Sequence, residues 1–383
     1  EYHGTDDRHP GTDKTPYSSQ IFAQVEVHPN SRRKSISAEP PDVVQECRTK
    51  TPPVIAGGVF VDIVCIQTTG VHDMRAVFAF TPWESKRLIG KAVAALPEVR
   101  YALEHAQIVI AHGSTNVYVA EEVMGNCPER DQYVSGQVIN GTLCQTQPEE
   151  KPALLRLVRG ESVPPVPTME ETLAGWDDKS LFIKGANAVD HEFNAGIFNA
   201  HHAAGTIGWA YGAICGTGIP LIVPVGLEKL VPSIKAATNE LGHAKADYFY
   251  GTKIGMLPLM NAKVITEIQA FEILFGLAAV HVGGGGVSGS EGTVVISVTG
   301  EDAEVRAAIE LVESFKGEPP LKLLKRRCAD CFAPPPAFTS GTDAAKDVGT
   351  VTADEARAIR QCIFSGSAEE DLPEWFHRRE PAA

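Results

Sequence analysis

The chain has 383 residues, 43% of them hydrophobic, with 34 basic and 48 acidic side chains and a formal net charge of −14. That balance excludes nucleic acid and an anionic membrane surface as main partners, since both demand positive charge, while the apolar content is ample for a sizeable core. The cysteines at 47, 65, 127, 144, 215, 328, 331 and 362 follow no disulfide framework and several sit in apolar runs, so the expected setting is cytoplasmic or another reducing soluble compartment.

Residues 1–53 are rich in Pro, Ser, Thr and charge, without a sustained apolar period, and read as a disordered leader. The chain opens on Glu1, as after removal of a preceding segment, and what remains shows no secretory apolar stretch. Val54–Val71 carries Asp62 and Gln67 among glycines, which suits a buried strand pair rather than a membrane span.

Within residues 54–260 strands and helices alternate, which implies an α/β fold with an open, mainly parallel sheet flanked by helices. Ala76–Phe80 reads as a strand; Thr81-Pro82-Trp83-Glu84 opens a helix to Leu96 with Pro at the first position and a capping-box Glu. Pro97 starts a second helix. Gln107–Ala111 is a strand, followed by His112-Gly113-Ser114-Thr115-Asn116 and a helix ending at Gly125. Gln137–Ile139 and Leu154–Val158 read as hairpin-type strands, with Asn140-Gly141 as a tight-turn signal. Thr168–Glu171 repeats the capping box before the strand Leu181–Lys184. A glycine-punctuated helix and the apolar run Leu221–Val223 then complete a βαβ unit.

Residues 261–325 read as βαββα: a strand at Ala262–Thr266, a helix at Glu267–Phe275, strands at Ala278–Val282 and Thr293–Val298, and a helix at Asp302–Phe315, with a last strand near Leu321. In the final helix Val305, Ala308, Ile309 and Val312 keep the spacing of one buried face. That order predicts a small ferredoxin-like α+β plait after the large sheet. Residues 326–383 read as a mostly disordered tail with one short helix near Ala353–Phe364.

Three loops carry chemistry-bearing residues. Gly113-Ser114-Thr115 at a strand-to-helix junction offers free N–H groups and two hydroxyls, a seat for phosphate or carboxylate; an ordinary helix cap uses the same residues. Gly185-Ala186-Asn187 and Asp190 follow the next strand, where Asn and Asp orient a polar ligand or move a proton, or merely form a turn. Gly205-Thr206 and Gly226-Leu227-Glu228-Lys229 fall on the same expected sheet edge. Lys229 would hold an anion or serve as acid or base, while Glu228 equally suits a surface ion pair. His201 and His202 are adjacent and point in different directions on any regular element. They form no zinc-like pattern, and one of them suits a polar site histidine. Gly283–Gly286 and the residues to Gly292 form a loop that either covers a ligand or lines a subunit contact. Cys328 and Cys331 give a single CxxC without a second pair or a nearby histidine couple, which makes a poor metal site. No cofactor is called for.

Ile108–Asn116 (IVIAHGSTN), Ile183–Asp190 (IKGANAVD) and Val223–Val231 (VPVGLEKLV) together resemble the superfamily of ribose-5-phosphate isomerase, glucosamine-6-phosphate deaminase and the CoA-transferases, over Arg75–Val231. Conserved bacterial and archaeal proteins of unassigned function look closer still. The resemblance implies that Gly113, Ser114 and Thr115 form the phosphate loop and that Gly185, Ala186 and Asp190 form the middle loop, with Lys229 as the late-loop lysine. It implies a lid domain in the region of the plait, which also looks like the shell-protein module of bacterial microcompartments. Lys184 and Asn187 stand where those isomerases carry aspartates, and Asn199–Thr206 replaces a segment bearing a lysine and a glutamate.

The expectation is therefore a protein that binds a small anionic metabolite, a sugar phosphate or a CoA-like molecule. Its site would draw on Gly113, Ser114, Thr115, Asn116, Lys184, Gly185, Ala186, Asn187, Gly205, Thr206, Gly226 and Glu228. As an enzyme it would be an isomerase or transferase using Asp190, His201, His202 and Lys229. The alternative is a non-catalytic metabolite sensor or a structural subunit. On either reading the chain is expected to be a homo-oligomer or part of an assembly.

Overall fold

The computed structural model describes residues 73–147, 150–201, 203–323, 326–331 and 362–377. Strand β1 (Met74–Phe80) stops at Thr81, whose hydroxyl accepts from the Glu84 N–H while the Glu84 carboxylate accepts from the Thr81 N–H. This is the reciprocal box legible in the sequence, and it launches helix α1 (Pro82–Ala95). Pro97 opens α2 (Pro97–His105), which leads into β2 (Gln107–Ile110). Helix α3 (Ser114–Met124) follows and ends at Gly125, which is left-handed at φ 81°.

The next two strands correct the expected hairpin. β3 (Gly136–Ile139) turns through Asn140 and Gly141, both at positive φ, directly into β4 (Thr142–Gln145). A two-residue turn of this type joins the residues immediately on either side of it. β5 (Leu155–Val158) instead lies antiparallel to β2 and pairs onward with β6 (Glu161–Val163).

After the short helix α4 (Met169–Leu173), capped by the Thr168 hydroxyl, come β7 (Leu181–Ile183) and a small hairpin absent from the sequence reading, β8 (Ala188–Val189) with β9 (Ala195–Asn199). Helix α5 (Gly205–Thr217) then returns the chain to β10 (Leu221–Pro224), which is parallel to β7 as expected of a βαβ unit. Helix α6 (Ile234–Glu240) leads to β11 (Gly255–Leu259), which pairs with β9, and then to β12 (Lys263–Ile265).

The large sheet has the order β12-β10-β7-β2-β5-β6, with the first four strands parallel and the last two antiparallel. This is a mixed, mostly parallel sheet flanked by helices. Its central strands are buried along their whole length at Leu181–Ile183 and Leu221–Pro224, as strands covered on both faces must be.

Residues 261–325 pair differently from expectation. β12 joins the large sheet beside β10 rather than the following strands. The third strand of the small sheet is β1, which lies antiparallel to β14 (Thr293–Gly300); β14 in turn pairs with β13 (Ala278–Gly285). The burial patterns agree with this pairing: β1 and β14 alternate along their length, as half-exposed antiparallel strands do, whereas β12 ends in the buried pair Val264 and Ile265. Helices α7 (Glu267–Phe275) and α8 (Asp302–Phe315) have the predicted bounds, and both contact β14. Phe78 of β1 stacks on Phe271 with ring centroids 5.5 Å apart, and Phe80 stacks on Phe315 at 6.4 Å. No strand forms near Leu321, which is buried without one.

The described residues belong to one compact unit. Parts of the expected tail are built into it: Cys328, Cys362, Phe364 and Leu372 form a small second core, and a last helix α9 (Glu374–His377) follows. The helix expected near Ala353–Phe364 falls mostly outside the described residues, and Cys362–Phe364 is not helical. Residues 1–53 and the strand pair at Val54–Val71 also lie outside them. No helix among the described residues is long and apolar enough to cross a membrane.

Candidate functional site

Because β2, β7 and β10 are adjacent and parallel, their carboxyl ends open on one edge of the sheet. The loops that leave them are 112–114, 184–187 and 225–229, the three singled out in the sequence. They are tied to the sheet by backbone bonds from Ala111 N–H to Ile183 O, from Lys184 N–H to Ile222 O and from Val225 N–H to Ile265 O. Asn116 reinforces the first two: its amide donates to Ala111 O at 2.6 Å and Ile183 O at 3.3 Å. Asn116 is thus fully buried behind the loops and does not line the cavity they form, and its Oδ1 is buried without a partner.

That cavity has a volume of about 1120 Å³. Its wall includes Gly113, Ser114, Thr115, Lys184, Gly185, Ala186, Asn187, His201, Gly205, Thr206 and Lys229, so most of the expected site residues meet there. His202 lies outside the described residues. Gly226 and Glu228 stand behind the wall, where Glu228 Oε1 accepts from Lys86 Nζ at 2.8 Å. A Cβ on Gly226 would meet Glu228 Oε2 and crowd Glu267 Oε1, so a side chain there would require the Glu228 carboxylate to shift.

Asp190, expected as an acid or base, is elsewhere and differently employed. Its Oδ1 accepts from the N–H groups of Glu192 and Asn194, and its Oδ2 accepts from Asn194 Nδ2 and the Ile234 N–H. Burial works to raise its pKa, but these donors outweigh it and hold the carboxyl below the usual range. Asp190 fastens the β8–β9 turn to the start of α6. Among described residues the cavity's single carboxylate is Glu170, exposed at the rim on α4.

The wall is instead cationic. The buried Lys184 donates to His112 O at 2.8 Å, which employs one of its three donors, and Lys229 donates to Ala186 O at 3.0 Å. Lys151 lines the same space. Burial, followed by the charges of Lys151 and Lys229, pushes the Lys184 ammonium down to about 8. Burial also lowers Lys229, opposed by Glu228 nearby, and burial lowers Lys151. Three ammonium groups held below their usual range around one cavity are an arrangement that gains from an added negative charge.

Two neutral groups complete that arrangement. His112 is pushed down to about 4, first by burial and then by Lys151 and Lys184, against the opposing bond to Pro152 O at 2.8 Å. It is neutral near pH 7 with Nε2–H donating to Pro152, leaving a buried Nδ1 acceptor without a partner. The Thr115 hydroxyl, in the first turn of α3, is likewise buried and unpartnered while its residue lines the cavity. Asn187 accepts from the Phe198 N–H at 3.0 Å through its carbonyl, which leaves its NH₂ as a donor. His201 accepts from the Ala203 N–H through Nδ1 and has its ring 6.0 Å from that of Trp209, an exposed side chain at the cavity's edge.

His112, Lys151, Trp209 and the β3–β4 hairpin residues Gln137, Val138, Leu143, Cys144 and Gln145 extend the site beyond the sequence reading. His112 was findable, since it directly follows strand β2; Lys151 and the hairpin carry no pattern that ties them to this edge.

The chain matches none of the protein-family models, curated proteins or solved structures with which it was compared.

Proposed function

We propose that this protein binds a small anionic metabolite, phosphorylated or CoA-like, at the carboxyl edge of its large sheet. The observation that carries the reading is the meeting of Lys151, Lys184 and Lys229 with the N-terminus of α3, where the Thr115 hydroxyl is buried and unpartnered. Helix N-termini and partly desolvated ammonium groups together favour a phosphate or carboxylate. The cavity, at about 1120 Å³, exceeds what a sugar phosphate alone would fill and favours the CoA-like or nucleotide-sized class. Trp209 beside His201 offers an aromatic face at the edge for a flat group of such a ligand.

The likeness to the isomerase and CoA-transferase superfamily is supported by the three loops on adjacent parallel strands. The chemistry of those isomerases is not, because Asp190 is consumed by backbone donors and Lys184 lies in the wall in place of an acid. If the protein turns over its ligand, Lys229 or Lys184 moves the proton, with His201 in reach of the same space. A thermal-shift series with inorganic phosphate, sugar phosphates, nucleotides and CoA esters tests the reading. A bound anion at a hundredfold excess over its Kd stabilises by about 3 kcal/mol; no shift with any of them would refute it.

A second reading, that of an assembly subunit, draws on the outward face of the small sheet. Val77, Val280 and Val282 are 62%, 59% and 56% exposed on β1 and β13, the two strands that flank β14, and a second copy of the chain would cover them. Light scattering of wild type against Val77→Lys and Val280→Lys measures this: a monomeric wild type removes the reading.

A further inference from the structure

Cys328 and Cys331, a lone CxxC in the sequence, are joined in the fold by two cysteines from distant segments. Cys144 on β4 and Cys362 line the same small cavity as Cys328 and Cys331, about 30 Å³ in volume. The segments are mutually braced. Cys362 bridges to Thr252, whose N–H donates to Leu143 O next to Cys144. The Gly366 N–H donates to Cys328 O at 2.7 Å, and the Ser365 hydroxyl donates to Cys331 O at 2.7 Å. Cys328 and Cys362 are both buried.

We propose that these four cysteines form a structural zinc site. Four thiolates on one centre are the donor set of closed structural zinc sites, and CxxC is the usual half of such a set. The cavity, as the side chains stand, has room for a single ion. Gln147 Nε2 already donates to Cys331 Sγ at 3.2 Å, the kind of outer bond that stabilises a coordinated thiolate. Arg326, ion-paired with Glu150 at 2.7 Å, also lines the cavity and adds a positive charge beside it. As placed, no three histidine, cysteine or acidic side chains among the described residues form a metal-ligand group. Closure therefore takes rotation about cysteine χ1, which swings the sulfur while the braced backbone stays in place. Each thiol that coordinates releases its proton to solvent, so zinc uptake is accompanied by acid release and weakens at low pH.

The site would have a purpose in the wall of the large cavity. Cys144, Gln137, Gln145 and Thr252 line both spaces. A metal here would clamp residues 326–331 and 362–366 onto the β3–β4 hairpin that walls the ligand site. This proposal is independent of what that site binds.

The test uses the full chain purified without chelator. Elemental analysis should find about one zinc per chain, released when a mercurial blocks the thiols and followed with a chromogenic chelator. Cobalt in place of zinc should give the intense visible bands of tetrahedral cobalt–thiolate. Cys328→Ser with Cys331→Ser should lose both signals, and Cys215→Ser, exposed on α5, should keep them. Retention of metal by the double variant would overturn the proposal. So would a wild type that holds no zinc or cobalt, that carries an iron–sulfur chromophore, or that shows a disulfide among these cysteines. The cobalt spectrum of the wild type decides the question even if the double variant does not fold.

Discussion

Replacing Lys184 by Met should stabilise the ligand-free protein while abolishing its response to anions. The Lys184 ammonium falls from 10.5 to about 8 through burial and the charges of Lys151 and Lys229, a penalty of about 3 kcal/mol on the charged folded form at neutral pH. Methionine removes that penalty with a similar chain length. It also removes the bond to His112 O, leaving a buried carbonyl unpaired at a cost of about 1–2 kcal/mol. The net gain at pH 7 is about 1–2 kcal/mol, or roughly 2–4 °C in Tm.

The pH dependence identifies the cause. Between about 8 and 10.5 the folded wild type has lost this proton while the unfolded chain still holds it. Wild-type stability therefore rises through that window relative to the variant, and the variant's advantage disappears. Urea unfolding of both proteins across the range measures the difference directly, which cancels the opposing titrations of groups such as Cys127. A Lys184→Met protein that is less stable than wild type at pH 7, by an amount constant with pH, would refute the argument that this lysine stores an unmet charge.

Thr115→Val should be neutral or stabilising by about 1 kcal/mol, because the hydroxyl it removes is buried without a partner, yet it should weaken the thermal shift given by phosphate compounds. A marked loss of stability would mean that the hydroxyl is paired in the native protein. Glu267 is raised to about 7 by burial and then by Glu228, so wild-type stability should fall as pH rises from 4.5 through 7 by up to about 3 kcal/mol. Glu267→Gln keeps an acceptor for the Leu227 N–H and should flatten that fall, as read by Tm against pH. Asp190→Asn places amide hydrogens against donors that now point at a carboxylate and should cost about 2–4 kcal/mol, with anion binding by the folded fraction unchanged. A stable Asp190→Asn that fails to bind would return Asp190 to the site.

What the sequence discloses here is mainly local. Thr81 with Glu84, Gly125, Asn140-Gly141 and the bounds of α7 and α8 were legible because caps, turns and helical periodicity are written in neighbouring residues. The convergence of residues 113–115, 184–187 and 229 was also legible, since strand ends in a parallel sheet share an edge. Pairing was not. Whether Val264 and Ile265 lie beside β10 or β13 depends on the residues across from them, and nothing in their own pattern specifies the partner. The surroundings of Asp190 are hidden for a related reason: a carboxylate after a strand looks the same whether its acceptors face a ligand or the N–H groups of residues 192, 194 and 234. Lys151 and Cys144 enter their cavities from loops and a hairpin whose placement is set by long-range packing.

The pairing of β1 with β14 has a consequence for how the chain comes into being. Arg75 and Thr299, hydrogen-bonded across that pair, are 224 residues apart. At ordinary rates of translation, roughly 10–40 s separates the emergence of the two strands from the ribosome. For that interval β1 has neither neighbour nor sheet, and Phe78 and Phe80 have no α7 or α8 to cover them. The large sheet would have time to assemble first, with the small sheet closing last over a loop whose entropy cost is paid in one step. Truncation before Thr293, which removes β14 and α8, should then leave an apolar strand permanently exposed rather than remove a dispensable end.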